Sequence, residues 1–149
     1  MSIAARKPLT VTRNPHYNPY MQFELTDALL DDIIFSMEDQ EAIFLIDTQE
    51  GMVVIEDEIE VDDDAEDRHI HLPDWDSSDG FRLMEHFAAS FRNPLIRNEL
   101  SSALNQGKGV FRAFKNVLSH HPEAEKIWFS FKEREMKREV VRWYNALRE

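Results

Sequence analysis

Ala42-Ile43-Phe44-Leu45-Ile46, Asp47-Thr48-Gln49-Glu50-Gly51 and Met52-Val53-Val54-Ile55 follow one another directly, two apolar runs around a polar segment that closes on glycine. That pattern predicts a β-hairpin, with strands over 42–46 and 52–55 and the turn over Asp47–Gly51. A third strand is predicted at Arg68-His69-Ile70-His71-Leu72, which alternates and stops at Pro73. Everything beyond Pro73 has helical periodicity. The hairpin therefore decides the fold class: without it the chain reads as all-helical, and with it as α+β. Three short strands need a covering helix to be stable.

Thr26 is placed to cap such a helix, which puts Leu29, Ile33 and Met37 on one face, with Leu30 and Ile34 beside them. Four more helices are predicted. One runs from Gly80 to Phe91, with Leu83, Met84, Phe87 and Phe91 in a stripe, and after Pro94 a second spans Leu95 to Leu104. A third begins at Gly109 and presents Val110, Phe114, Val117 and Leu118 on one side. The last, roughly Glu123 to Leu147, carries Met136, Val140, Trp143, Tyr144 and Leu147 at helical spacing. The expected architecture is α+β, a small three-stranded antiparallel sheet with about five mostly C-terminal helices in a single domain over 23–149. Residues 1–22, with Pro8, Pro15 and Pro19 and no apolar period, are expected to form a flexible arm or a segment that folds against a partner.

The 149-residue chain has no cysteine, which excludes disulfides, thiolate metal sites and a cysteine nucleophile. No run approaches the ~18 apolar residues of a membrane span, and the N-terminus lacks a signal-peptide core, so a soluble cytoplasmic protein is expected. The net charge of −12 is unevenly spread. Residues 24–91 hold 22 acidic and two basic groups, whereas residues 92–149 hold 12 basic and seven acidic ones. Such segregation speaks to long-range fields and partners, and packing the two parts together would neutralise some of it.

Candidate sites follow from charge and glycine. Gly107, Lys108 and Gly109 open onto a helix whose Lys108, Arg112 and Lys115 recur at i, i+4 and i+7 and so share a face. Free N–H groups and the macrodipole at a helix start favour an anion, which makes these five residues a candidate site for a phosphate or an acidic partner. The same residues also fit a purely structural role, glycines making the turn and cations solvating the face or pairing with the acidic half. The segment is not a Walker A loop, because the first glycine and the Ser/Thr after Lys are missing. Glu56 to Asp67 has nine acids in twelve residues, including Glu56, Glu58, Glu60, Asp62, Asp63 and Asp64. Without EF-hand spacing, this stretch is expected to be a solvated acidic surface or a ridge for a basic protein, with no metal site. His69 and His71 project to one side of their strand without a third ligand, and Ile70 and Leu72 are expected to face the core. No nucleophile motif surrounds Ser119 or Ser130. The aromatic residues Trp128, Phe129, Phe131, Trp143 and Tyr144 suit core packing, with some left over to pair with a second copy of the chain.

Gly107-Lys108-Gly109-Val110-Phe111-Arg112-Ala113-Phe114-Lys115-Asn116-Val117-Leu118 resembles the hallmark of a bacterial uncharacterised protein family, with Gly-Lys-Gly-x-Phe-Arg-x-Phe-Lys as its specific part. The preceding helix ending at Leu104, the Asp47–Gly51 hairpin, Arg68 to Pro73, and Trp128 and Trp143 of the last helix are similar to that family in order. The resemblance covers roughly Phe23 to Leu147; residues 1–20 and the acidic stretch depart from it. It implies no reaction, cofactor or catalytic residue. It does imply an association with an acetyltransferase domain of the GNAT type, and this chain has no glycine-rich loop for a coenzyme A pyrophosphate.

No catalytic constellation, no cofactor site and strongly segregated charge make a non-enzymatic protein-interaction or regulatory domain the first expectation. Its partner would be another protein, an acetyltransferase-type domain among the candidates, or a second copy in a homodimer. The alternative is a nucleic-acid or phosphate-ligand binder using the Gly107–Gly109 turn and the Lys108/Arg112/Lys115 face. The acidic balance weighs against it, since phosphate contacts need clustered cations. A divalent-metal enzyme built on the acidic stretch ranks third.

Overall fold

Thr26 does cap the first helix, its Oγ1 accepting from the Leu29 N–H at 3.1 Å. The computed structural model describes residues 23–60 and 68–148, so the 1–22 arm and Asp62, Asp63 and Asp64 lie outside the described residues. Helix α1 runs over Asp27–Met37 and buries Leu29, Ile33 and Met37. Strands β1 (Phe44–Asp47), β2 (Met52–Ile55) and β3 (His69–His71) follow. The helices α2 (Ser77–Ser90), α3 (Pro94–Leu104), α4 (Val110–Ser119) and α5 (Pro122–Leu147) complete the fold. It is α+β with an antiparallel three-stranded sheet in the order β2-β1-β3.

Element boundaries shift where local chemistry outweighs periodicity. Helix α2 starts at Ser77 rather than Gly80, because Asp76 and Asp79 form a reciprocal capping box. The exposed Asp76 carboxyl is held below the usual aspartate range, first by the Ser78 hydroxyl and then by backbone N–H groups. Gly80 thus lies inside the helix, where a Cβ would meet the Phe111 ring at 3.4 Å, an ordinary contact. Pro94 does not interrupt a helix but opens α3 at its first turn, after the Asn93 cap. Strand β1 begins two residues later than expected and includes Asp47, which shortens the turn to residues 48–51.

Asp47 governs the hairpin. Its Oδ1 accepts from the N–H groups of Gln49 and Glu50, at 3.0 and 3.1 Å, while both carboxylate oxygens accept from Arg68, at 2.8 and 2.7 Å. The Thr48 hydroxyl donates to the Arg68 carbonyl at 2.6 Å, and the Thr48 N–H does so at 2.8 Å. Asp47, the last residue of β1, therefore closes the hairpin and, with Thr48, locks β3 beside β1. Both Asp47 and Thr48 are buried, as their satisfied polar atoms allow.

Two apolar clusters make the core. Met84, Phe87, Leu100, Leu104, Phe114 and Trp128 join α2, α3, α4 and the first half of α5. Phe87, Phe114 and Trp128 meet edge-on, with ring centroids 5.0 to 6.3 Å apart, a favoured aromatic geometry. The second cluster joins Phe23, α1, β1 and β3 to Met136 and Val140 of α5. Ile70 is buried and Leu72 packs against this cluster, while His71 is exposed and His69 half-buried.

The Arg68 guanidinium, with the two turn N–H groups helping, holds the Asp47 carboxyl below its ordinary 3.8 against the opposing effect of burial. The stabilisation is complete above that value and disappears as pH falls through the lower folded one. Asp47→Asn keeps an acceptor for the turn but loses the ion pair. It should cost about 2 kcal/mol at neutral pH, a Tm fall of roughly 8 °C. The Tm gap between wild type and variant should narrow as pH drops below 3.8; a gap that is constant from pH 7 to 2.5 rules this account out.

Candidate functional site

Gly107 and Gly109 adopt left-handed φ values of 89° and 62°, and Gly109 is the N-cap of α4. A side chain at either position would be strained by the backbone itself. Between them, the Lys108 carbonyl accepts from the Gln106 side-chain amide at 2.7 Å. The first intrahelical bond runs from the Ala113 N–H to the Gly109 carbonyl. No side chain caps α4 or α5, whereas Thr26, Asp76 and Asn93 cap α1, α2 and α3.

Lys108, Arg112 and Lys115 are all exposed; Arg112 and Lys115, at i and i+3, share one edge of α4, whereas Lys108 lies in the turn before the left-handed Gly109 cap, outside the helix that the i, i+4, i+7 spacing assumed. Phe114 and Leu118 are buried on the opposite side, with Val110 and Val117 half-buried beside them. Phe111, expected nearer the apolar side, keeps 39% of its surface exposed. Among the described residues, none of the three cations is in an ion pair. Most cations of α5 behave differently: Lys132 pairs with Glu38 at 2.7 Å, Lys137 with Glu133 at 3.0 Å, Arg138 with Glu135 at 3.3 Å, and Arg142 with Glu139. The Lys137 ammonium is held above its usual range, mainly by Glu133, with Asp31 and Asp27 of α1 adding. Part of the charge segregation is therefore compensated within the fold, and the α4 edge lies outside that compensation.

Sequence reasoning missed a cavity of about 310 Å³ beside this edge. Trp75, Phe111, Phe114, Trp128, Phe129 and Met136 supply its apolar walls. Four charged residues, Glu38, Lys115, Glu125 and Lys132, also line it. Lys115 thus belongs both to the cation edge and to the cavity, whereas Lys108 and Arg112 stand outside. Phe129, grouped in the sequence with the core aromatics, is exposed instead.

The acidic candidates Glu56, Glu58 and Glu60 are exposed, the first two in a 3-10 turn after β2. Among the described residues, no three His, Asp or Glu side chains are grouped to hold a metal ion. His120 contacts the Asn116 carbonyl at 2.8 Å and His121 the Glu99 carboxylate at 3.1 Å. Among the described residues, no helix is long and apolar enough to cross a membrane.

The fold and this site define a small α+β domain with one glycine-bracketed, cation-edged helix start. The model of an uncharacterised protein family (UPF0158) matches residues 21–148, and the chain belongs to that family. No curated protein and no solved structure matches the chain.

The left-handed N-cap makes a direct forecast. Gly109→Ala should cost about 1 kcal/mol, read as a Tm fall of roughly 4 °C, with Gly109→Asn retaining about half of that loss. An unchanged Tm for Gly109→Ala would mean that the turn is not held in this conformation in solution.

Proposed function

We propose that this chain is a non-enzymatic protein-interaction or regulatory domain that presents the Lys108/Arg112/Lys115 face to an acidic surface of another protein. The observation that carries the reading is the unpaired state of these three cations beside an α5 whose own cations are mostly neutralised. Unpaired surface charge is available for steering and for selecting a partner of opposite sign. An acetyltransferase-type domain, which the sequence resemblance implies, is one such partner. Exposed Glu56, Glu58 and Glu60 offer a second, opposite surface.

A phosphate-ligand or nucleic-acid reading is favoured by one observation, the missing side-chain cap at α4, which leaves first-turn N–H groups of the helix for an anion. Affinity capture from source-organism lysate, with and without nuclease, separates the two. The bait is compared with a Lys108→Glu, Arg112→Glu, Lys115→Glu variant shown by circular dichroism to be folded. A protein partner that survives nuclease and is lost with the variant is the expected result. Retention of nucleic acid alone favours the second reading, and identical retention by both baits removes the face from either.

A further inference from the structure

Phe129 is 57% exposed and Phe111 39% exposed, and both line the cavity that Lys115 also lines. Other apolar side chains, Phe35 and Leu95 among them, are more exposed still, but these two rings share one concave apolar volume, which the others do not line. The volume, about 310 Å³, is at the small end of ligand pockets and suits a single bulky side chain rather than an extended molecule. Interfaces concentrate their affinity in such anchors, a ring or branched aliphatic group seated in a desolvated pocket and ringed by polar contacts.

The charges around the cavity are not symmetric. Glu38 is neutralised by Lys132 at 2.7 Å, and Glu125 stands on α5. On the α4 side Lys115 has no ion pair among the described residues, nor has Arg112 one turn back, nor Lys108 in the turn before the helix. A chain leaving the cavity along α4 therefore meets Lys115 and Arg112, with Lys108 in the turn beyond, and toward α5 it meets Glu125.

We infer that the cavity takes one aromatic or leucine side chain of an acidic partner segment, whose Asp or Glu residues lie on one side of that anchor and run along Lys115, Arg112 and Lys108. This rests on the protein-interaction reading and adds the chemistry of the partner. A nucleic-acid strand would use the cation edge but has no apolar side chain for the cavity, so it is the competing outcome.

The test is selection of a displayed library of random 12-residue peptides on the immobilised full chain. Enriched peptides are then synthesised and titrated by fluorescence anisotropy. The expected consensus has Phe, Trp or Leu next to two or more acids on one side. Replacing that anchor by Ala, or using Phe129→Ala or Lys115→Glu protein, should weaken binding about tenfold or more. Phe129 is exposed, so its truncation leaves the core intact, which circular dichroism verifies. No enrichment, a consensus without an anchor, acids replaced by Lys or Arg, or equal affinity for Phe129→Ala overturns the inference. So does tighter binding of a single-stranded 12-mer deoxythymidine than of any selected peptide. The two levels separate in the capture experiment: a partner lost with the triple charge variant but indifferent to Phe129→Ala sinks the cavity and spares the interaction reading. A partner indifferent to both sinks the reading itself.

Discussion

The rest of this structure depends on one row of α5, Ala124, Trp128, Lys132, Met136 and Val140, spaced four residues apart so that they follow one face of the helix. Ala124 and Trp128 belong to the helical cluster, Met136 and Val140 to the cluster under the sheet. A single helix of 26 residues therefore supplies a wall to both cores, and neither closes without it. The polar exception, Lys132, falls between them and pairs with Glu38 at the C-terminal end of α1, where a cation also suits the helix dipole. That pair ties the sheet-side layer to the helical layer where apolar packing gives way, and the cavity opens beside it.

The charge distribution follows the same division. Acids of α1 bear on Lys137 of α5, and Glu133, Glu135 and Glu139 answer the neighbouring cations along the helix. Exposed pairs of this kind contribute little to stability, commonly about 0.2–1 kcal/mol each. Their greater effect is on the outside field, because they mute most of the charge of α5, whereas Lys108, Arg112 and Lys115, like Arg92 and Lys126, are in no ion pair among the described residues.

What could be read without coordinates was whatever depends on neighbours in sequence. Thr26 announces α1, the glycine pair announces the start of α4, and alternation around Ile70 announces β3. Gly80 misled, because a glycine suggests a boundary, whereas Asp76 and Asp79 set the true start three residues earlier. Asp47 was legible as a turn residue but not as the buried partner of Arg68, although Arg68 is one of only two basic residues between 24 and 91. The cavity was beyond reach, since Trp75, Phe111 and Phe129 come together only through the packing of three separate segments.

One contact joins the start of the described residues to the end of the last helix. The Tyr144 hydroxyl donates to the Phe23 carbonyl at 2.9 Å, and the two rings meet edge-on at 5.2 Å. Phe23, the first described residue, is thereby held beside Tyr144 near the end of α5. At 1.5 Å per residue, that seam lies about 24 Å along α5 from Trp128, which packs against α4. The Tyr144 end of α5, packed in the sheet-side cluster, and the Trp128 end, packed in the helical cluster, are therefore separate regions of one helix.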